Sequence, residues 1–317
     1  MYKMKKLSII LVIAMCLSLF FSVSVFAASK TAINWHGVKT YATKSIQVYK
    51  NTKTTTSSGT IYNGDCITIK SYDDSSKRFN VTYPVTNGKS KGATATGYIK
   101  ASVIGYNLSN YPNKTWNIAY GFDVKGYTRS SIFNKSLTFS EGTTICEFGG
   151  SGDYISVVGK VSGTYYLVYV KKSDVRKVPS MSTSKTYKIT SKLNSNYVLD
   201  VDNGSKENGA NIQLYKWNGT SAQVFKFNES GNKYYRITNY NSNKEVARKE
   251  ANVVQWSCAD VWSIAEDNNG YIIIVPASNK NICMDVTGGK VANRTNIQLY
   301  KINNTDSQRF KLVEVKK

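Results

Sequence analysis

The sequence predicts an all-β protein made of two small barrels followed by a larger barrel of three repeated units. Two internal repeats predict this architecture, because repetition constrains a fold more firmly than local propensity does. The composition agrees: of 317 residues, 41% are hydrophobic, 12% are aromatic and 20% are charged. A chain this apolar is globular rather than disordered, and 4 prolines with 22 glycines exclude a collagen-like rod.

Residues 1–27 read as a removable export signal. A lysine-rich start precedes an almost unbroken apolar run over 7–26, and Val25-Phe26-Ala27 places small residues at the two positions that a signal peptidase reads. An uncleaved membrane anchor is the alternative, because the run approaches the ~20 residues that span a bilayer. We predict a secreted protein with no transmembrane segment after signal removal.

The secreted chain is strongly basic. Removal of the signal takes three lysines and lowers the formal charge from +22 to +19. Residues 28–180 carry 20 Lys and Arg against 8 Asp and Glu, and residues 181–317 carry 19 against 12. A basic surface concentrates polyanions, and an exported protein meets anionic wall polymers, acidic glycans or membrane head groups rather than nucleic acid. Charge that serves solubility alone is the alternative.

The first repeat occupies the N-terminal half, where three segments recur in the same order. The pairs are Tyr41–Ile46 with Tyr127–Ile132, Gly59–Gly64 with Ser136–Gly142, and Gly97–Val103 with Val168–Asp174. The offset falls from 86 to 71 residues, which predicts a longer loop at 87–97 in the first copy. These short strands resemble bacterial SH3-type domains of exported wall proteins, at 38–106 and 116–178. The resemblance implies binding to peptidoglycan.

The second repeat lies beyond a short polar linker at 179–184. Its first motif occurs at Asn211–Lys216, Asn252–Trp256 and Asn296–Lys301, and its second at Gln223–Phe225, Asp260–Trp262 and Gln308–Phe310. Aligned on Gln213, Gln255 and Gln298, the copies lie 42 and 43 residues apart. Each unit is too small to bury its apolar side alone, but three units around a pseudo-threefold axis close a barrel. The repeats resemble the ricin B-type lectin family, a β-trefoil, over 185–315.

The first and third units carry the side chains that a neutral sugar requires. A sugar needs a carboxylate for its hydroxyls, an aromatic ring for its apolar face and an amide to orient a further hydroxyl. The two sets are Asp200, Gln213, Tyr215 and Gln223, and Asp285, Gln298, Tyr300 and Gln308. The resemblance implies that the aspartate and the ring hold the sugar, and that the last glutamine fixes the aspartate. A turn role for the aspartates and a core role for the last glutamines are the alternative.

Two departures from the family pattern affect these sites. The residue before the last glutamine, often asparagine in sugar-binding copies, is Ala222 in the first unit and Ser307 in the third. The middle unit has Ala247 in the place of the aspartate and Asp260 in the place of the last glutamine, so we predict that it binds no sugar. Aromatic residues that end the second motif are expected in the core: these are Phe225, Trp262 and Phe310.

We predict that the protein is not an enzyme and uses no cofactor or metal. The single histidine, His36, excludes a two-histidine metal site. It leaves Cys66 or Cys146 as the only partner for a thiol–imidazole pair, and neither lies in a context that lowers a thiol pKa. Cysteines among β-branched neighbours behave as small buried hydrophobes. If a disulfide exists, Cys258–Cys283 is the expected pair.

The combined prediction is a secreted, cell-wall-associated carbohydrate-binding protein. Its trefoil binds glycans or polysaccharide, and its SH3-like domains bind peptidoglycan or anionic wall polymers. Two sites of modest affinity on one molecule bind a polymer more tightly than either site alone, through avidity. The alternative is a targeting or toxin-like accessory subunit that delivers a catalytic partner to a wall or host-cell surface.

Overall fold

A computed structural model describes residues 32–317 except 43, 89, 106–107, 128–135, 232 and 259. The predicted export signal at 1–27, and most of the segment 127–132 of the first repeat, lie outside the described residues. Every strand belongs to the compact unit Ile33–Lys317. The regular elements of the described residues are strands and three-residue 3-10 helices, so the predicted all-β class is confirmed. Within them, no helix has the length and apolarity needed to cross a membrane.

Twelve strands build the N-terminal half. They are Lys39–Tyr41 (β1), Ile46–Tyr49 (β2), Ser57–Ile61 (β3), Cys66–Asp73 (β4), Arg78–Pro84 (β5), Thr94–Lys100 (β6), Lys114–Asn117 (β7), Val124–Tyr127 (β8), Ser136–Phe139 (β9), Thr144–Ser151 (β10), Tyr154–Val161 (β11) and Thr164–Lys171 (β12). A 3-10 helix follows β6 at Ala101–Val103, and another follows β12 at Lys172–Asp174. In β2 and β5, buried residues alternate with more exposed ones, as in half-buried strands.

These strands form two copies of one pairing order. The first copy runs β1-β4-β5-β6-β2-β3, and the second runs β7-β10-β11-β12-β8-β9. Ile61 and Phe139 end equivalent strands, as do Lys100 and Lys171, which agrees with two of the predicted segment pairs. The remaining pair, Tyr41–Ile46 with Tyr127–Ile132, does not match equivalent strands at its first residue, because Tyr41 ends β1 whereas Tyr127 ends β8. The longer loop of the first copy is present between β5 and β6.

The two copies are joined rather than separate. β1 pairs in parallel with β12, with Lys39 opposite Tyr166. The Thr40 hydroxyl donates a 2.8 Å hydrogen bond to the Leu167 carbonyl, and Leu167 packs in the core of the first copy. One continuous twelve-stranded sheet therefore spans both copies.

Twelve further strands build the C-terminal half. They are Thr186–Ser191 (β13), Tyr197–Val201 (β14), Ile212–Lys216 (β15), Phe225–Glu229 (β16), Tyr234–Asn239 (β17), Glu245–Lys249 (β18), Asn252–Trp256 (β19), Trp262–Glu266 (β20), Ile272–Pro276 (β21), Ile282–Val286 (β22), Thr295–Lys301 (β23) and Phe310–Val315 (β24). The first unit is β13–β16, the middle unit is β17–β20 and the third unit is β21–β24. Four 3-10 helices lie at Asp202–Gly204, Ser221–Gln223, Thr287–Gly289 and Asp306–Gln308.

The C-terminal half has the topology of a β-trefoil. Six strands close a ring in the order β13-β16-β17-β20-β21-β24, with β24 returning to β13. The other six form the hairpins β14-β15, β18-β19 and β22-β23, and these hairpins contact one another. Phe225, Trp262 and Phe310 are fully buried in the core, as predicted.

A ladder of asparagines links the three hairpins. The Asn252 amide donates to the Asn211 side-chain oxygen, and the Asn296 amide donates to that of Asn252, each at 2.9 Å. These residues open the first motif of every unit, so the ladder marks equivalent positions around the pseudo-threefold axis.

The second copy of the N-terminal repeat packs against the trefoil. Lys177 forms backbone bridges to both Ile118 and Glu266, and its ammonium lies 3.2 Å from the Glu266 carboxylate. Lys280 forms a 2.6 Å ion pair with Glu141. Hydrogen bonds between backbone groups on each side fix one relative orientation.

All four described cysteines are free, so no bridge joins Cys258 to Cys283. Cys258 is exposed in the connection between β19 and β20, whereas Cys283 is buried on β22 and packs with Ile273 and Val275. Burial raises the pKa of the Cys283 thiol to about 12, which keeps it protonated and unreactive.

Candidate functional site

The predicted aspartate and glutamine of the first unit lie side by side. Asp200 on β14 is directly opposite Gln213 on β15. The Gln213 amide nitrogen donates to Asp200 Oδ1 at 3.0 Å and to Asp202 Oδ1 at 3.1 Å. Strand alternation directs Leu199 and Val201 into the core and leaves Asp200 on the other face. The amide thus orients a carboxylate at the base of a pocket.

The third unit repeats this geometry. Asp285 on β22 is directly opposite Gln298 on β23, and the Gln298 amide donates to Asp285 Oδ1 at 3.1 Å. Both aspartates retain only 5–6% of their surface exposed. A carboxylate held in this way is suited to accept hydrogen bonds from ligand hydroxyls.

The last glutamines of the two units brace a loop. The Gln223 amide donates to the Lys216 carbonyl at 3.0 Å and its oxygen accepts from the Asn218 backbone at 2.9 Å. Gln308 does the same with the Lys301 carbonyl at 2.8 Å and the Asn303 backbone at 2.9 Å. Both are fully buried on 3-10 helices. These hydrogen bonds hold the loop that forms the wall of each site. This role is additional to the predicted one, in which the glutamine fixes the aspartate.

The predicted aromatic rings stand at equivalent positions beside these carboxylates. Tyr215 lies opposite Val198 and Tyr300 lies opposite Cys283, each two residues beyond the amide that holds the aspartate. Tyr300 is 52% exposed and Tyr215 is half-buried. An exposed ring next to a carboxylate offers a face for the C–H groups of a sugar.

Neighbouring units complete the pocket of the first unit, whose volume is about 570 Å³. Asn241 comes from the middle unit and Arg294 from the third, and Lys317 comes from the end of the chain. The Asn241 amide donates to the Gly204 carbonyl at 2.8 Å, and the Lys317 ammonium to the Gly219 carbonyl at 2.6 Å. The spacing of residues within one unit does not predict that these three residues reach the site. The sequence prediction also omitted Asp202, although it lies only two positions after Asp200.

Burial sets the electrostatics of the first-unit carboxylate. It raises the pKa of Asp200 above the ordinary 3.8 because the charged form loses hydration, and the negative charge of Asp202 acts in the same direction. Hydrogen bonds from Gln213 and Gln223 oppose the rise in pKa. Since the folded-state pKa is the higher one, folding favours protonated Asp200, and this contribution to stability is lost as pH rises through that pKa.

If the first unit binds a glycan through Asp200, the affinity is expected to weaken as the pH is lowered toward the raised pKa of Asp200. A neutral carboxyl is a poorer acceptor for hydroxyls than a carboxylate, and the raised pKa of Asp200 means that it is protonated at a higher pH than an ordinary aspartate. The measurement is glycan affinity by calorimetry from about pH 7 to about pH 4 in the Asp285→Asn variant, which isolates the first unit. An affinity that stays constant over this range contradicts the assignment of Asp200 as the acceptor.

The middle unit is aligned one residue differently from the sequence prediction. Ala247 lies opposite Val254, so Val254, and not Gln255, occupies the position of Gln213 and Gln298. Gln255 takes the core-facing place of Leu214, where its amide donates to the carbonyls of Ser205 and Glu207 at 2.8 and 2.9 Å. The prediction went wrong because it matched residue type instead of register. The middle unit consequently lacks both polar groups of the other two sites.

Asp260 of the middle unit has its own partner. Its carboxylate accepts from Arg248 Nε at 2.9 Å and from the Arg248 backbone at 2.8 Å. It therefore holds β18 instead of bracing a loop as Gln223 and Gln308 do.

The described residues hold no group of three His, Cys, Asp or Glu side chains placed to bind a metal ion. His36 is exposed, and burial raises the pKa of Cys146, which disfavours a thiolate nucleophile there.

A family model of lectin-like domains matches part of the chain. Residues 170–256 match the family model described as ricin-type beta-trefoil lectin domain-like. The Rhizoctonia solani agglutinin is 26% identical, with 43% of this chain and 99% of that chain covered and a TM-score of 0.40. The Macrolepiota procera ricin B-like lectin, solved with lactose, is 20% identical, with 42% and 98% covered and a TM-score of 0.38. No curated protein matches the chain.

The matched segment runs from the end of β12 to the end of β19. Together with the observed topology, it supports the predicted ricin B-type lectin domain in this part of the chain. The SH3-like assignment of 38–106 and 116–178 remains a prediction.

Proposed function

We propose that the protein is a secreted, non-enzymatic carbohydrate-binding protein with two glycan sites on its trefoil. One observation carries the proposal: the aspartate–glutamine pair recurs in the first and third units with hydrogen bonds of 3.0 and 3.1 Å, and both members are absent from the middle unit. Core packing alone does not require a buried carboxylate at two of three equivalent positions, because burying a charge costs free energy unless it has a partner or a ligand.

Each side chain has a defined role in this proposal. The carboxylates of Asp200 and Asp285 accept two sugar hydroxyls, and the rings of Tyr215 and Tyr300 cover the apolar sugar face. Gln213 and Gln298 orient the carboxylates, and Gln223 and Gln308 hold the loop wall. Ala222 and Ser307 leave one wall position without an amide, which leaves room for a ligand substituent.

The N-terminal half supplies attachment to the bacterial cell wall in the same proposal. Its two copies, assigned as SH3-like domains at 38–106 and 116–178, carry a formal charge of +12 over residues 28–180. This excess favours peptidoglycan decorated with anionic polymers, and the attraction weakens with salt. The protein would then hold a wall with one half and a glycan with the other.

The test compares the full secreted chain with its Asp200→Asn/Asp285→Asn variant. Each asparagine removes a charged hydrogen-bond acceptor, which is worth ~1.5–3 kcal/mol, so affinity for galactose- and xylose-type oligosaccharides is expected to fall by roughly 10- to 100-fold. Binding to purified cell wall is expected to persist. The control variant Asp74→Asn/Asp153→Asn makes the same charge change at exposed turns. Unchanged glycan affinity in a folded variant contradicts the two-site proposal.

A further inference from the structure

The middle unit carries a surface pocket of its own, distinct from the two carboxylate sites. The pocket has a volume of about 410 Å³. We call it the middle-unit pocket, and it is lined by Ala247, Arg248, Lys249, Trp256, Cys258 and Asp260. It occupies the position around the pseudo-threefold axis that corresponds to the sugar sites of the other units.

Short connections open this pocket to solvent. Two residues join β18 to β19, whereas the corresponding connections are ten residues in the first unit and eight in the third. Five residues join β19 to β20, against eight in each of the other units. The shortening removes the loops that wall the other two sites and leaves Trp256 41% exposed.

Trp256 is the aromatic platform of the pocket. It takes the place of Tyr215 and Tyr300 in the aligned hairpins. Exposing a large indole costs free energy in an unliganded protein, and its face is broader than that of tyrosine. The position therefore retains, and enlarges, the element that contacts the apolar face of a sugar.

The middle-unit pocket lacks the buried carboxylate of the other two sites and carries an arginine on its wall. Ala247 replaces the buried carboxylate, and Arg248 stands where Val201 and Val286 lie in the other units. Asp260 holds the guanidinium through Nε at 2.9 Å, which fixes its plane and leaves the terminal nitrogens for a ligand. With exposed Lys249 beside the ion pair, the titratable groups on the pocket wall other than Cys258 sum to +1.

We propose that the middle-unit pocket binds a carboxylate-bearing sugar, the class that includes uronic acids, which revises the prediction that this unit binds no sugar. The planar fork of Arg248 matches a carboxylate, Lys249 adds a second cation, and Trp256 covers the apolar face of the ring. Neutral sugars lack a group that pairs with Arg248, so this arginine gives the pocket its preference for an acidic sugar. This inference does not rest on glycan binding by Asp200 or Asp285.

The test is calorimetry of the full secreted chain with tri-galacturonate and with its methyl ester, which has the same backbone without charge. A sialylated trisaccharide and a sulfated one are run in parallel, to separate sources of the acidic group. The acid is expected to bind at least about tenfold more tightly than the ester. The Arg248→Gln/Asp260→Asn variant removes the ion pair without changing net charge and is expected to lose this preference. Trp256→Ala is expected to weaken binding of the acid and leave the fold intact.

Two controls separate this site from general attraction and from the other sites. Lys249→Gln removes the second cation of the pocket and is expected to weaken binding of the acid, whereas Lys100→Gln removes one exposed charge elsewhere and is expected to change nothing. Asp200→Asn/Asp285→Asn is expected to keep full affinity for the acid. The proposal is overturned if acid and ester bind equally, if the folded Arg248→Gln/Asp260→Asn variant keeps the preference, or if Lys100→Gln weakens binding as much as Lys249→Gln.

Discussion

The Asp200→Asn variant is expected to lose roughly 10²- to 10⁴-fold in apparent affinity for a dense polysaccharide surface while its third-unit site still binds oligosaccharide normally. Asp200 and Asp285 lie in equivalent hairpins of one trefoil, so their positions are fixed relative to each other. Once one site is engaged, the second meets its ligand at a high effective concentration. Removing one of two modest sites therefore costs far more on a polymer than on a free oligosaccharide.

Two measurements on the same variant separate avidity from intrinsic affinity. Surface plasmon resonance on densely and sparsely coated polysaccharide reports the avidity, and calorimetry with oligosaccharide reports the stoichiometry, which is expected to fall from two to one. Asp74→Asn serves as the charge-matched control at an exposed turn. A single variant that keeps its apparent affinity on the dense surface, or that still binds two oligosaccharides, shows that the two sites do not act together.

Repetition made the trefoil predictable from the sequence, and side-chain register limited the prediction. The motif asparagines recur because each contributes to the ladder of Asn211, Asn252 and Asn296 around the axis. Matching Gln255 to Gln213 was wrong because a glutamine normally avoids a core-facing position. Gln255 is tolerated there because the carbonyls of Ser205 and Glu207 satisfy its amide. Such a long-range partner leaves no trace in local spacing.

The rest of the first-unit pocket was unpredictable for a related reason. Asn241 and Arg294 belong to the other two units and reach the site only after the ring of strands closes. In the N-terminal half, β1 pairs with β12 across the two copies, a contact between residues as distant as Lys39 and Tyr166. The sequence indicated that both repeats exist, but it carries no signal for pairings between repeats.

Replacing Trp262 with alanine is expected to destabilise the trefoil by about 3–5 kcal/mol. The ring is fully buried in the core, where Phe225 and Phe310 occupy the equivalent positions. Its indole nitrogen also donates a 3.0 Å hydrogen bond to the Val246 carbonyl, which ties β20 to the middle hairpin. Alanine leaves a cavity and an orphaned buried carbonyl, and the loss is a large share of the ~5–15 kcal/mol that a native domain holds.

The two tryptophans of the middle unit give a matched pair for this measurement. Trp256→Ala truncates an exposed ring six residues earlier and is expected to change the free energy of unfolding by only about 0.5 kcal/mol. Trp262→Phe restores the residue type of the other units but loses the bond to Val246, so a cost of about 1–2 kcal/mol is expected. Urea unfolding followed by circular dichroism ranks the three variants. Equal midpoints for Trp262→Ala and Trp256→Ala are incompatible with a core that contains Trp262. The expected ranking of stabilities means that one buried aromatic side chain per unit stabilises the pseudo-threefold core. The exposed ring of Trp256 contributes little to stability and is available to a ligand.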